Sequence, residues 1–195
     1  GVRDASAAPR IAALLGRSAH VALRGFYTHE GNLYAAAPAE QSAKVEELIT
    51  RMAAIRDGID RSLPIWPGCS VTARLAAEQS RGRVQAVRPG AYVFGDLALS
   101  RMTGTMPRDA VALHVLATVV DRPEPGLALI DAGSKTFSSD RTPDNLFGLA
   151  VDGRDLAVAR VNEEHGYVRG KDVDSLRIGD RILFMPAHVC TVVNL

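Results

Sequence analysis

PAEQSAKVEELITRMAAIRDGID, residues 38–60, is the stretch on which the fold reading turns. It opens at Pro38, sets Val45, Leu48, Ile49, Met52 and Ile55 on one stripe, and frays at Gly58, which is the pattern of an amphipathic helix. Upstream, HVALRGFYTH (20–29) reads as a strand running into a polar turn, and AAPRIAALLGRS (7–18) as a shorter helix. Downstream, PIWPGCSVTARLAAEQ (64–79) reads as strand, glycine turn and helix, and VQAVRPGAYVFGD (84–96) as a further strand and loop. Strands alternating with helices predict a parallel sheet covered by helices, part of a (β/α) barrel or doubly wound layer. Such sheets carry their chemistry at the carboxyl ends of the strands. The polar clusters THEGN (28–32) and PGCS (67–70) fall at those ends.

After about residue 105 the texture changes. AVALHVLATVVDR, GLALIDAG, LFGLAVDG, DLAVARVNEEHGYV and DRILFMPAHVCTVVNL are short β-rich runs punctuated by Gly, Pro and Asp, with no convincing helix. That spacing predicts an antiparallel barrel or sandwich. The expected organisation is therefore part of an α/β barrel over 1–105 and an all-β domain over 106–195.

The 195 residues carry a net charge of +1, so charge favours neither nucleic acid nor an anionic membrane as partner. No apolar run approaches the roughly 18 residues of a membrane span. Cys69 and Cys190 are the only cysteines, too few for a disulfide scaffold. The start, GVRDASAAPR, has neither an initiator Met nor a signal-peptide core, and a cytoplasmic location is expected.

Three stretches carry candidate chemistry. In MPAHVCTVVNL (185–195), read as a strand, His188 and Cys190 share a face and could reach one metal ion; a half-buried histidine and a packed thiol are the alternative. PGCSVT (67–72) places Gly68, Cys69 and Ser70 between strand and helix, which suits a phosphate or a plain helix cap by Ser70. GFYTHEGNLY (25–34) gathers His29, Asn32 and Tyr34 after a strand, facing either a ligand or an aromatic core. EEHG (163–166) reads as a solvated turn, and His20 and His114 as packing residues.

Taken in order, GFYTHEGNLY, VRPGAYVFGD, LIDAGSKTFSSD, EEHG and MPAHVCTVVNL resemble the D-threonine aldolase and D-serine dehydratase family of pyridoxal-phosphate enzymes, which share the alanine-racemase-like fold. The resemblance implies a lyase acting on D-β-hydroxy amino acids, with pyridoxal 5'-phosphate and zinc or another divalent metal as cofactors. It assigns His188 and Cys190 to the metal. It assigns Gly68, Cys69 and Ser70 to the cofactor phosphate, and His29, Asn32, Tyr34 and Tyr92 to the cofactor ring. Cys69, Val71 and Ala91 depart from the residues usual there. The His-x-Cys spacing resembles the dehydratase branch more than the aldolase branch. A homodimer is implied by the resemblance alone.

The lysine that links the cofactor in this family has no counterpart here. Lysine occurs only at Lys44, Lys135 and Lys171, and none matches that context. The chain is accordingly expected to be the C-terminal portion of the enzyme and inactive by itself. A non-catalytic metal- or ligand-binding module, or a pseudoenzyme on the same fold, is the alternative.

Overall fold

The computed structural model describes residues 5–195, so the first four residues of the segment read for a leader lie outside it. The chain divides into two compact units, Gly1–Pro89 and Gly90–Leu195. The change of texture at 105 falls inside the second. Residues 96–106 belong with the β-rich runs because Leu97 and Met106 pack with Val111 and Met185.

In the first unit, helix α1 (Ala8–Gly16) precedes strand β1 (Phe26–Thr28), helix α2 (Pro38–Asp57), strand β2 (Ile65–Pro67) and helix α3 (Ala73–Glu78). β1 and β2 pair in parallel, with Phe26 opposite Ile65, Tyr27 opposite Trp66 and Thr28 opposite Pro67. The long helix follows its sequence pattern: Val45, Ile49 and Met52 are buried, while Leu48 and Ile55 are half-buried beside Ile11, Leu15 and Phe26. Leu33, Val45, Ile49 and Ala76 form the core. Arg83 ties the two helices together, donating from Nη2 to both carboxylate oxygens of Glu46 at 2.9 Å and to the Gln79 carbonyl.

Two expected strands are shorter or absent. HVALRGFYTH forms a strand only at its last residues, because Gly25 takes φ +156° against Pro64, and a side chain there would stand 2.8 Å from the Pro64 carbonyl oxygen. VQAVRPGAYVFGD makes no strand. Its Gln85 and Arg88 N–H groups each bond β2, to Ile65 and Pro67, but the intervening backbone does not complete a ladder, and 91–93 close into a 3-10 turn.

The second unit is a closed antiparallel barrel in the order β3-β4-β7-β6-β5-β8. Its strands are β3 (Val115–Glu124), β4 (Leu127–Ile130), β5 (Gly148–Ala150), β6 (Ala157–Val161), β7 (Gly166–Arg169) and β8 (Arg181–Pro186). Along β3 the alternation is plain: Val115, Ala117 and Val119 point in, Leu116 and Val120 out. Inside, Val158, Val168, Ile182 and Phe184 pack with Phe137, whose ring meets Phe184 edge-on at 6.1 Å. Closure of the barrel removes the open edges that a six-stranded sheet would otherwise present.

The all-β expectation needs one correction. Helix α4 (Ser134–Phe137) follows β4, and helix α5 (Val189–Val193) follows β8. The last strand therefore stops at Pro186, and His188 and Cys190 do not lie on it.

Candidate functional site

The turn after β8 is built by two carboxylates distant in sequence. Asp96 is completely buried; its Oδ1 accepts from the Leu99 N–H and its Oδ2 from the Val189 N–H, both at 2.8 Å. Capping Val189 with a carboxylate starts α5 at that residue and ends the strand. His188 is left extended at φ −144°, ψ 116° as the residue before the helix, and Cys190 sits in the first helical turn.

Asp140 holds the other side. Its Oδ2 lies 2.7 Å from His188 Nδ1 and 3.1 Å from Thr191 Oγ1. Ser138 donates to Thr191 Oγ1 at 2.8 Å and accepts from the Asp140 N–H. Ser138 itself adopts φ +65°, a left-handed conformation uncommon for a residue with a side chain. A carboxylate only accepts, so the proton shared with His188 is on Nδ1, and in the neutral ring the lone pair is on Nε2. Cys190 is exposed, and partial burial, then the charge of Asp96, then that of Asp140, raise its thiol above the usual range.

In the first unit, the parallel register brings His29 and Gly68 side by side just past the ends of β1 and β2. The Gly68 N–H donates to the Thr28 carbonyl at 2.9 Å, and His29 Nδ1 donates to the Gly68 carbonyl at 2.7 Å. In the neutral ring, His29 Nε2 then carries the lone pair. Cys69 is buried, so its contribution to a ligand is its N–H; its carbonyl accepts from Thr72 and Ala73. Among the described residues, the N–H groups of Cys69, Ser70 and Val71 donate to no backbone carbonyl. Packing around Gly68 is tight, since a Cβ there would stand 3.0 Å from Arg88 Cβ. Asn32 is exposed and Tyr34 half-buried on the 3-10 turn Gly31–Ala35. Tyr92, 54% exposed, belongs to the second unit.

Sequence reading missed Asp96, Asp140 and Glu30. Glu30 is buried, with Oε2 accepting from Thr72 Oγ1 at 2.9 Å and Oε1 without a partner. Asp140 closes the motif LIDAGSKTFSSD, yet no local spacing links it to His188. His20, expected in packing, is exposed, while His114 is half-buried with its Nε2 unpartnered.

The donor chemistry fits the groups that the family reading names. Nitrogen from His188 and sulfur from Cys190 suit zinc, and no third His, Cys, Asp or Glu completes a metal cluster among the described residues. Two protein donors on one ion would leave coordination positions open to water or substrate. The three unengaged N–H groups at 69–71 suit a phosphate. Each lysine is engaged elsewhere: Lys44 with Glu40, Lys135 with Glu164, Lys171 with Asp155.

Comparison with known proteins bears on the family and the fold. The family pattern "Putative serine dehydratase domain" matches residues 112–195. The D-threo-3-hydroxyaspartate dehydratase of Delftia sp. (strain HT23) is 31% identical over 206 residues, covering 90% of this chain and 52% of its own length. The D-threonine aldolase of an Arthrobacter species is 29% identical, covering 60% of this chain and 31% of its own. The chain thus spans about half the length of the dehydratase. Two solved forms of D-threo-3-hydroxyaspartate dehydratase, a histidine-to-alanine mutant and a cysteine-to-alanine mutant in the metal-free form, superpose with TM-scores of 0.79 and 0.76. Each is 26% identical to this chain, covering 98% of it and 54% and 56% of their own chains. On the barrel, the order of its motifs and these likenesses, the chain belongs to the D-threonine aldolase and D-serine dehydratase family of alanine-racemase-like proteins.

Proposed function

We propose that this chain is a portion of a lyase acting on D-β-hydroxy amino acids, dependent on pyridoxal phosphate and a divalent metal, zinc in the first instance. The observation that carries the reading is the pair His188 and Cys190 held in one turn, with the His188 ring fixed by Asp140. The substituted histidine and cysteine of the solved dehydratase mutants are likewise two positions apart.

When bound, pyridoxal phosphate supplies an electron sink and the metal a Lewis acid for a substrate hydroxyl. The residues here have separate tasks. His188 and Cys190 hold the metal, and Asp140 keeps the Nδ1 proton of His188. Gly68, Cys69 and Ser70 present the turn that takes the phosphate, with Cys69 contributing backbone only. His29, its Nδ1–H committed to the Gly68 carbonyl, presents Nε2 as a proton acceptor. Asn32, Tyr34 and Tyr92 are assigned to the cofactor ring. The His-x-Cys spacing favours dehydration over aldol cleavage. The same resemblance extends the proposal to a homodimer.

The 195-residue chain by itself is expected not to link the cofactor covalently, since none of its three lysines, Lys44, Lys135 and Lys171, matches the context of the family's lysine. That observation also favours a second reading, a metal-binding module without catalysis.

Native mass spectrometry with metal analysis tests both. One zinc per chain is expected, lost in the His188→Ala, Cys190→Ala double variant; no zinc under zinc-replete conditions overturns the metal site. Borohydride reduction with pyridoxal phosphate is expected to leave no stoichiometric lysine adduct. Metal retention with specific pyridoxal phosphate binding supports the lyase reading, and metal retention without it supports the module.

A further inference from the structure

The carboxylate of Asp140 belongs to neither donor set, yet it makes the closest polar contact of the His188 ring. Its Oδ2 lies 2.7 Å from Nδ1, and the geometry is not left to Asp140 alone. Thr191 Oγ1 sits 3.1 Å from the same oxygen and from the His188 carbonyl, Ser138 donates to Thr191, and the Asp140 N–H is anchored on Ser138 Oγ. Three side chains from two segments of the barrel unit, Ser138, Asp140 and Thr191, thus fix one imidazole. Nothing in the barrel core needs this: the His188 and Asp140 side chains are 37% and 38% exposed, so the pair adds little by burial.

The ring nitrogens are not equivalent once one of them carries a proton. In the neutral ring, with Nδ1–H committed to a carboxylate, Nε2 carries the lone pair, and the ring plane is set by the hydrogen bond. An outer carboxylate of this kind fixes tautomer and direction and makes the ligating nitrogen more basic.

We infer that Asp140 is the positioning residue of the metal site: it locks His188 in the Nδ1–H tautomer and so presents Nε2, and not Nδ1, to the ion. Ser138 and Thr191 hold Asp140 in turn. This rests on the metal reading of His188 and Cys190 and adds to it a residue that touches no metal.

The test uses the full chain, zinc affinity by chelator competition, and the His188 tautomer by long-range proton–nitrogen correlation in metal-free protein. Wild type is expected to show the Nδ1–H tautomer and to bind one zinc. Asp140→Ala is expected to lose the single tautomer and to bind zinc about 10–100-fold more weakly. Asp140→Asn, which keeps an oxygen acceptor without the charge, should retain the tautomer and fall between the two. A purely structural role would lower the melting temperature of Asp140→Ala without changing the tautomer, and that result overturns the inference. So does zinc affinity equal to wild type in Asp140→Ala. If wild type itself binds no zinc, the metal reading has failed, visibly and before any variant, and the inference falls with it.

Discussion

Asp96 shows how much one side chain can decide. Its two oxygens each accept a buried backbone N–H, from Leu99 and from Val189, and the second of these sets where β8 gives way to α5. Asp96→Asn turns one acceptor into a donor facing a donor. The expected cost is about 1–3 kcal/mol for the N–H left unpaired, read by denaturant melts. Removing the charge also relieves the Cys190 thiol, which burial and then Asp96 push upward. In wild type, alkylation is accordingly expected to accelerate only above the usual thiol range of about 8.5. In Asp96→Asn, the alkylation–pH curve should move to lower pH; an unmoved curve would show that the Asp96 charge does not act on Cys190. His188, Cys190 and His29 were legible because imidazole and thiol are rare chemistries at suggestive spacing. Asp96 and Asp140 were not, because a lone aspartate in a loop looks like any turn residue until folding supplies its partner.

At the scale of elements, α2 was readable to within a few residues, since a stripe at helical spacing with Pro at the start and Gly at the end has one good solution. The end of β8 was not. MPAHVCTVVNL is apolar and β-branched enough to continue as a strand, and the distant Asp96 carboxylate, accepting the Val189 N–H, supports the helical turn instead. The barrel strands were legible through alternation and turn residues, one of which is critical. Gly170 ends β7 at φ +143°, and a Cβ there would overlap the Asp155 carbonyl oxygen and lie 3.1 Å from Leu156 Cα. Gly170→Ala is therefore expected to destabilise the barrel by about 3 kcal/mol through backbone strain and displacement of the strand before it. That corresponds to a fall in melting temperature of roughly 6–12 °C. A shift within 1–2 °C, about 0.5 kcal/mol at most, would mean that the loop yields freely.

The molecule as a whole consists of two units of different texture. The second owns a closed barrel and a contiguous core, and every contact described around His188 lies within it. Residues 90–195 expressed alone are thus expected to melt cooperatively and to bind zinc with the stoichiometry of the longer chain. Loss of the zinc site in a folded 90–195 chain would show that the first unit completes it. Composition, periodicity and turn residues determined the order and kind of most elements, because hydrophobic spacing is a local property that any single segment displays. The order of five weak motifs along the chain identified the family. Closure of the six strands, the facing of His29 and Gly68, and the carboxylate pair that ends β8 and orients His188 were decided only in three dimensions. Each joins residues far apart in sequence, and a hydrogen bond between such residues leaves no periodic trace in the segments that make it.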